Sequence, residues 1–303
     1  MTLRRPLSWY ISTVISDGVD DEARRVRTVT GADGVLLKVH DRGPVEGPIA
    51  LLLHGFPQHV GCWDAVLPGL HDLGLRTLAV DQRGYRDSSA PDDPAAYALD
   101  RLVADVLAVV DASGAADVVL VGHDWGAVVA WALAAQAPER VRALVAVSGP
   151  HPRAFGEALR SSSDQQARSA YIRLFRDPDK AASVLLSDDA RRLRAMFAGV
   201  PAARVDDYLA PLLAPGALIG PLRWYAAMLG PEFAQVPAVG VPTTFVWSDA
   251  DVAVSRDAAD ACARWVTGAY ARVDLPGISH WVPDQAPQAV VDAVSARLRA
   301  AAG

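Results

Sequence analysis

Four apolar runs, broken only by Arg76, Thr77 and Arg142 near their starts, constrain this chain more than any other feature: Ile49–Leu53, Leu75–Val80, Val118–Val121 and Val141–Val147. A strand with one face in water alternates polar and apolar residues. Runs without that alternation suit strands buried on both faces of a parallel sheet. Helical patterns fall between them. Tyr97–Ser113 repeats apolar residues at three- and four-residue spacing and stops near Gly114, and Ala127–Ala137 stops at Pro138, which cannot continue a helix. Strand and helix in alternation predict right-handed crossovers and a doubly wound, mostly parallel sheet. Ahead of the first run, Val26–Thr30 and Val35–Asp41 flank a Gly-Ala-Asp-Gly turn and read as a hairpin.

The alternation breaks at Pro150. Residues 150–238 carry helical stretches, arginines and prolines and no convincing strand. The pattern returns as a strand (Thr243–Trp247), a helix (Arg256–Val266), a strand (Tyr270–Leu275) and a helix (Gln285–Ala300). A chain of 303 residues can hold two domains or one large core with an insertion. The return of the pattern favours one α/β core over 26–149 and 239–303, an inserted helical segment over 150–238, and a leader over 1–25.

Composition narrows the function classes. Hydrophobic residues at 51% and charged residues at 21% are the mixture of an ordinary globular protein, and a net charge of −6 supplies no basic surface for nucleic acid. The two cysteines, Cys62 and Cys262, are too few for a disulfide framework, so a reducing, cytoplasmic compartment is expected. The seven histidines show no zinc-ligand spacing, so no metal is expected. No apolar run is long enough to cross a bilayer. The apolar stretch after Arg4 and Arg5 is too short for a secretory signal and runs into Asp17, Asp20, Asp21 and Glu22.

The sharpest local motif is Gly122-His123-Asp124-Trp125-Gly126, between a buried strand and a helix. Small residues at both ends let the chain turn tightly and present the central side chain at the carboxyl end of the sheet. This is the pattern of a nucleophile elbow with aspartate in the serine position. The plainer alternative is that Asp124 only caps the following helix. Leu53-His54-Gly55-Phe56-Pro57 ends an earlier strand where half of an oxyanion hole belongs. The N–H groups of Phe56 and Trp125 are therefore expected to converge on one oxyanion. His54 stands too early in the chain to be the general base and reads as a loop brace. The base is expected after a late strand, at His280 in Gly277-Ile278-Ser279-His280-Trp281. The orienting acid is expected one strand earlier, at Asp251, with Asp249 as the fallback. Nucleophile, acid, histidine is the chain order of α/β-hydrolases.

With these residues in place, nearly all of 26–300 resembles the α/β-hydrolase superfamily, and within it the epoxide hydrolases. Asp81-Gln82-Arg83-Gly84-Tyr85 adds to the match. The resemblance implies that the insertion is a helical cap and that two cap tyrosines hydrogen-bond the epoxide oxygen. Tyr171, in Tyr171-Ile172-Arg173-Leu174-Phe175-Arg176-Asp177-Pro178, and Tyr225, in Gly220-Pro221-Leu222-Arg223-Trp224-Tyr225, resemble those positions; Tyr208 lacks a matching context. The chain departs from the family at Arg86, where Gly-Tyr-Gly-x-Ser is frequent, and at Ala127, where a third glycine is frequent.

The resulting expectation is a cofactor-independent hydrolase that opens an epoxide to a vicinal diol. Asp124 forms an ester, and water activated by the His280–Asp251 pair hydrolyses it. The partners are a small epoxide and water, and the state a monomer or homodimer. Phe175, Trp224 and Met228 near the tyrosines suit an apolar substrate or, equally, packing within the cap. A dehalogenase using the same aspartate is the nearest rival, weakened by Phe56, which offers a halide no side-chain donor. A non-catalytic binding protein on the same fold is the rival of another class. A serine esterase is disfavoured because Ser148 and Ser279 lack the elbow context.

Overall fold

The computed structural model of the chain describes residues 17–18, 24–228 and 231–302. Nine strands form a single sheet: β1 (Asp17–Gly18), β2 (Arg24–Thr30), β3 (Leu36–Arg42), β4 (Ile49–Leu53), β5 (Arg76–Asp81), β6 (Val118–His123), β7 (Val141–Val147), β8 (Thr243–Ser248) and β9 (Tyr270–Leu275), in the order β1-β2-β3-β5-β4-β6-β7-β8-β9. Pairing is antiparallel from β1 through β3 to β5 and parallel from there to β9. The central strands β4 and β6 are buried at every residue, which is why their sequences run apolar without alternation. Most of the expected leader lies outside the described residues. Within it, Asp17–Gly18 pairs with Val26 and Arg27, and β2 begins at Arg24, so the sheet reaches further back than residue 26.

Helices α1 (Leu67–Asp72), α2 (Leu99–Ser113), α3 (Trp125–Gln136), α11 (Arg256–Ala261), α12 (Val282–Gln285) and α13 (Pro287–Ala302) flank the sheet. Between β7 and β8 the described residues form only helices: α4 (Pro152–Ser161), α5 (Ser163–Arg168), α6 (Ile172–Phe175), α7 (Pro178–Ala195), α8 (Ala202–Leu209), α9 (Ile219–Ala227) and α10 (Pro231–Gln235), with one 3-10 turn at Ala210–Leu213. Four helices differ from expectation. α2 starts at Leu99, after a 3-10 turn that ends at Tyr97. α3 starts at Trp125, directly on the elbow, and is apolar on every side because it lies between the sheet and α2. The segment 256–266 tightens into a 3-10 turn at Cys262. The last helix is two, interrupted at Ala286 before Pro287, where a proline suits a new first turn. The short α1 is too brief to show a helical period in sequence.

Contacts at Arg83 and Gly84 help tie the helical segment to the sheet's carboxyl edge. Arg83 is fully buried and donates to both oxygens of Asp105 at 2.8 and 2.7 Å, and its carbonyl accepts the Trp224 indole N–H at 2.9 Å. Gly84 and Gly220 meet backbone to backbone: a Cβ on Gly220 would stand 2.6 Å from the Gly84 oxygen. Both cysteines are buried and free. Among the described residues no helix is long and apolar enough to cross a membrane.

Candidate active site

The strand–turn–helix at residues 122–126 holds Asp124 at φ 52°, ψ −118°, a conformation that L-residues seldom adopt. Such strain persists only where the surroundings enforce it. Here they do: a Cβ on Gly122 would stand 2.4 Å from the Gly126 oxygen, and one on Gly126 would stand 2.1 Å from the Leu53 oxygen. Gly55 is bare for a different reason. A Cβ there would sit 2.3 Å from the Asp124 Cβ, so glycine lets the β4 loop approach the carboxylate. The Asp124 side chain makes no capping hydrogen bond to α3, which removes the plainer reading of this residue.

The carboxylate is instead shared among groups from three loops. Its Oδ1 accepts the Phe56 N–H at 2.8 Å. Its Oδ2 lies 3.5 Å from His280 Nε2. The Trp125 N–H favours the same charge without serving as a cap donor. Burial alone would raise this carboxyl. The hydrogen bond and charge of His280 outweigh it and hold Asp124 below the ordinary carboxylate range.

His280, from the loop after β9, turns its Nδ1 to Asp251, 2.9 Å from Oδ2 and 3.1 Å from Oδ1. Burial alone would lower its pKa; Asp251 first, then Asp124, push it up to about 10. Asp251 is itself buried and fixed by the Ala253 and Val254 N–H groups, at 2.7 and 3.0 Å. The fallback, Asp249, is exposed and accepts the Gly277 N–H at 2.7 Å, so it fastens the His280 loop without touching the imidazole. His54 is a brace: its Nε2 accepts the Gln82 N–H at 3.2 Å, its Nδ1 donates to the Gly55 carbonyl, and burial lowers its pKa to about 4.

A cavity of about 360 Å³ opens from Asp124 into the helical segment. Tyr171, at the start of α6, and Tyr225, on α9, line it together with Asp124 and Trp125. Their rings are 6.0 Å apart, and each packs on Phe175 at 5.0 Å. Burial first, and then the Asp124 charge among others, raise both phenols, so each hydroxyl stays a proton donor at neutral pH. Phe155, Leu159, Met228 and Phe233 form much of the remaining wall, and Arg176 is the charged side chain there besides Asp124. Phe175 and Trp224 are buried in packing and do not line the cavity, so of the three apolar residues noted in sequence only Met228 faces it. Tyr208 lies elsewhere, donating to Asp284 at 2.7 Å.

Several contributors carry no sequence signal of their own. His123 Nε2 donates to the His280 carbonyl at 2.9 Å and so positions that loop from the elbow. From the helical segment, Gln165 donates to the Ala253 carbonyl at 2.8 Å and accepts the Ser255 N–H at 2.8 Å, and Arg168 donates to the Asp251 carbonyl. These contacts join residues far apart in the chain, and only the folded topology brings them together.

The profile of the α/β hydrolase fold family matches residues 48–287. Epoxide hydrolase A of Mycobacterium tuberculosis is 31% identical, with 86% of this chain and 94% of that protein covered. The AB hydrolase superfamily protein YfhM of Bacillus subtilis is also 31% identical, over 85% of this chain and 92% of that one. The crystal structure of epoxide hydrolase A from Mycobacterium thermoresistibile superposes with a TM-score of 0.79 at 30% identity, covering 91% of this chain and 98% of the other.

Proposed function

The chain belongs to the α/β-hydrolase fold family, among its epoxide hydrolases, and from that premise we propose how it converts an epoxide and water to a vicinal diol. The ionised Asp124 attacks one epoxide carbon through the oxygen that faces the cavity. The C–O bond breaks, and the departing oxygen takes a proton from Tyr171 or Tyr225 while the other tyrosine donates a hydrogen bond. A hydroxyalkyl ester now stands on Asp124. The substrate class is an epoxide with an apolar body, because the wall beyond the tyrosines is built mainly from Phe155, Leu159, Met228 and Phe233. Residues 150–238 act as the cap that closes over it.

Ester formation also prepares the second step. The Asp124 charge is one of the influences that hold His280 protonated, and esterification removes it. The imidazolium then passes its Nε2 proton to the tyrosinate left by the first step, and the neutral imidazole takes a proton from water, with Asp251 holding its Nδ1–H. Water adds to Cγ of the ester, and the developing oxyanion lies against the Phe56 N–H, which already holds Oδ1 at 2.8 Å, with the Trp125 N–H at its side. Collapse breaks the bond to the alkyl oxygen, which leaves with a proton from His280. The second water proton, left on the Asp124 carboxyl, returns to His280, so the resting charges are restored and the balance is epoxide plus water to diol.

The observation that carries this reading is the position of one carboxylate. Asp124 has an oxygen on a backbone N–H, the other 3.5 Å from a histidine paired with Asp251, and two tyrosines across the same cavity. The test is to replace His280 with Gln and mix the enzyme with an epoxide. The intact mass is expected to rise by one substrate and stay there. Unmodified protein forming diol at the wild-type rate would overturn the covalent route.

A further inference from the structure

Ser148 follows β7 directly, and its hydroxyl has no evident occupation. Its φ is 48°, a left-handed value for a residue other than glycine. Its Oγ is buried, the residue being 1% exposed, and has no hydrogen-bond partner among the described residues. A buried hydroxyl left unpaired has given up its hydration with nothing in exchange. The backbone gains nothing from the side chain, since the Ser148 N–H is already satisfied by the Val246 carbonyl at 3.0 Å. Yet Ser148 lines the cavity together with Asp124, Ala253 and Val254.

The sheet order gives this position meaning. β7 runs between β6, which ends in the elbow, and β8, which leads to Asp251. The Asp124 N–H donates to the Val147 carbonyl at 3.0 Å, and a Cβ on Gly149 would stand 2.5 Å from the Asp124 oxygen. Ser148 thus sits between the two residues that press on the elbow backbone, on the strand beside β8, whose following loop carries Asp251. An unpaired buried hydroxyl in such a wall marks a place for a polar ligand or water.

We infer that Ser148 Oγ holds the water that hydrolyses the Asp124 ester. It accepts a hydrogen bond from one O–H of that water while His280 Nε2 takes the other proton, which aims the oxygen lone pair at Cγ. The bond formed is water oxygen to Cγ, and the bond broken is Cγ to the alkyl oxygen. This inference rests on the covalent route proposed above.

The experiment uses the full chain in single turnover with enzyme in excess, followed by intact mass. In Ser148→Ala and Ser148→Gly the ester is expected to form at the wild-type rate and to decay about 10- to 100-fold more slowly, a range suited to losing one positioning contact. Both variants lack the hydroxyl, but glycine also relieves the positive φ. Equal slowing in the two assigns the effect to the hydroxyl, and slowing in alanine alone would overturn the inference in favour of backbone strain. Decay at the wild-type rate, or a matching loss in ester formation, would also overturn it. His280→Gln serves as the separate control: if no ester ever appears there, the covalent route itself fails, and this inference with it.

Discussion

The carboxyl edge of the sheet and the helices between β7 and β8 face each other across one cavity, but they build their halves differently. The edge works through the backbone. Asp124 is held at a positive φ by glycines at fixed spacing, Phe56 contributes an N–H, and the loop behind Asp251 contributes two more. The helices work through side chains. Tyr171 and Tyr225 reach the cavity because Phe175 and Phe56 pack against their rings. Backbone geometry tolerates almost no substitution, whereas packing tolerates swaps of similar volume. Changes on the edge should therefore abolish the reaction, and changes on the helices should slow one step of it.

The largest expected effect is on the edge. Asp124→Asn removes the carboxylate proposed as the nucleophile and should lower kcat/KM by about 10³-fold or more. Gly55→Ala leaves every catalytic side chain in place, yet its Cβ would stand 2.3 Å from the Asp124 Cβ. It should cost about 10²-fold by displacing the carboxylate. Wild-type turnover in Gly55→Ala would break the contrast, because the edge would then not depend on its backbone, and wild-type turnover in Asp124→Asn would mean that Asp124 is not the nucleophile.

A smaller loss is expected on the helical side. Tyr171→Phe and Tyr225→Phe should each lower the rate of ester formation about 10²-fold, and the double variant more, while ester decay is unchanged. Phenylalanine keeps the packing and removes only the hydroxyl. Rapid quench with intact mass separates the two steps. If both single variants form ester at the wild-type rate, these tyrosines do not protonate the leaving oxygen.

How much could be read in the sequence follows the same division. The elbow, the Phe56 loop, Asp251 and His280 were legible because each follows a strand of the sheet, fully buried at β4, β6 and β8 and half-buried at β9, and a doubly wound sheet gathers those loops at one edge. The tyrosines were reachable only by resemblance, since no periodicity fixes how short helices pack. His123, Gln165, Arg168 and Ser148 were not legible at all. The partners of the first three are carbonyls or a backbone N–H, Ser148 Oγ has none among the described residues, and none of this leaves a residue pattern.

The edge also stores charge, and pH can expose it. Against the desolvation of burial, Asp251 and Asp124 push His280 up to about 10 in the folded state, from 6.5 for an ordinary histidine. The folded state therefore holds the proton more tightly. The stability from this pairing is fully present below about pH 6.5 and is lost as pH rises towards 10. A melting series should show that fall, and His280→Gln should flatten it. A melting temperature that stays level from pH 7 to 10 in the wild type would mean that Asp124 and Asp251 do not hold a cationic histidine between them.

The smallest effect is expected at Arg86, on the loop that departs from the family pattern. The Ser88 N–H donates to the Tyr85 carbonyl at 3.0 Å, closing a turn in which Arg86 sits at φ 48°. Glycine at that place, as in the family, would be free of a left-handed cost of about 1–2 kcal/mol. Arg86 offsets part of this through a bond from its guanidinium to His59 Nδ1 at 3.3 Å and a 3.9 Å approach to Asp81. Its side chain is about one-third exposed, so such contacts are worth under about 1 kcal/mol. Arg86→Ala loses the contacts and keeps the strain, and should destabilise by up to about 1 kcal/mol. Arg86→Gly loses the contacts and the strain but gains about 0.4–1 kcal/mol of unfolded-state entropy, and should stay close to wild type. Arg86 does not line the cavity, so kcat/KM should hold in both. Chemical denaturation ranks the two variants; alanine as stable as glycine would show that the turn does not strain its arginine.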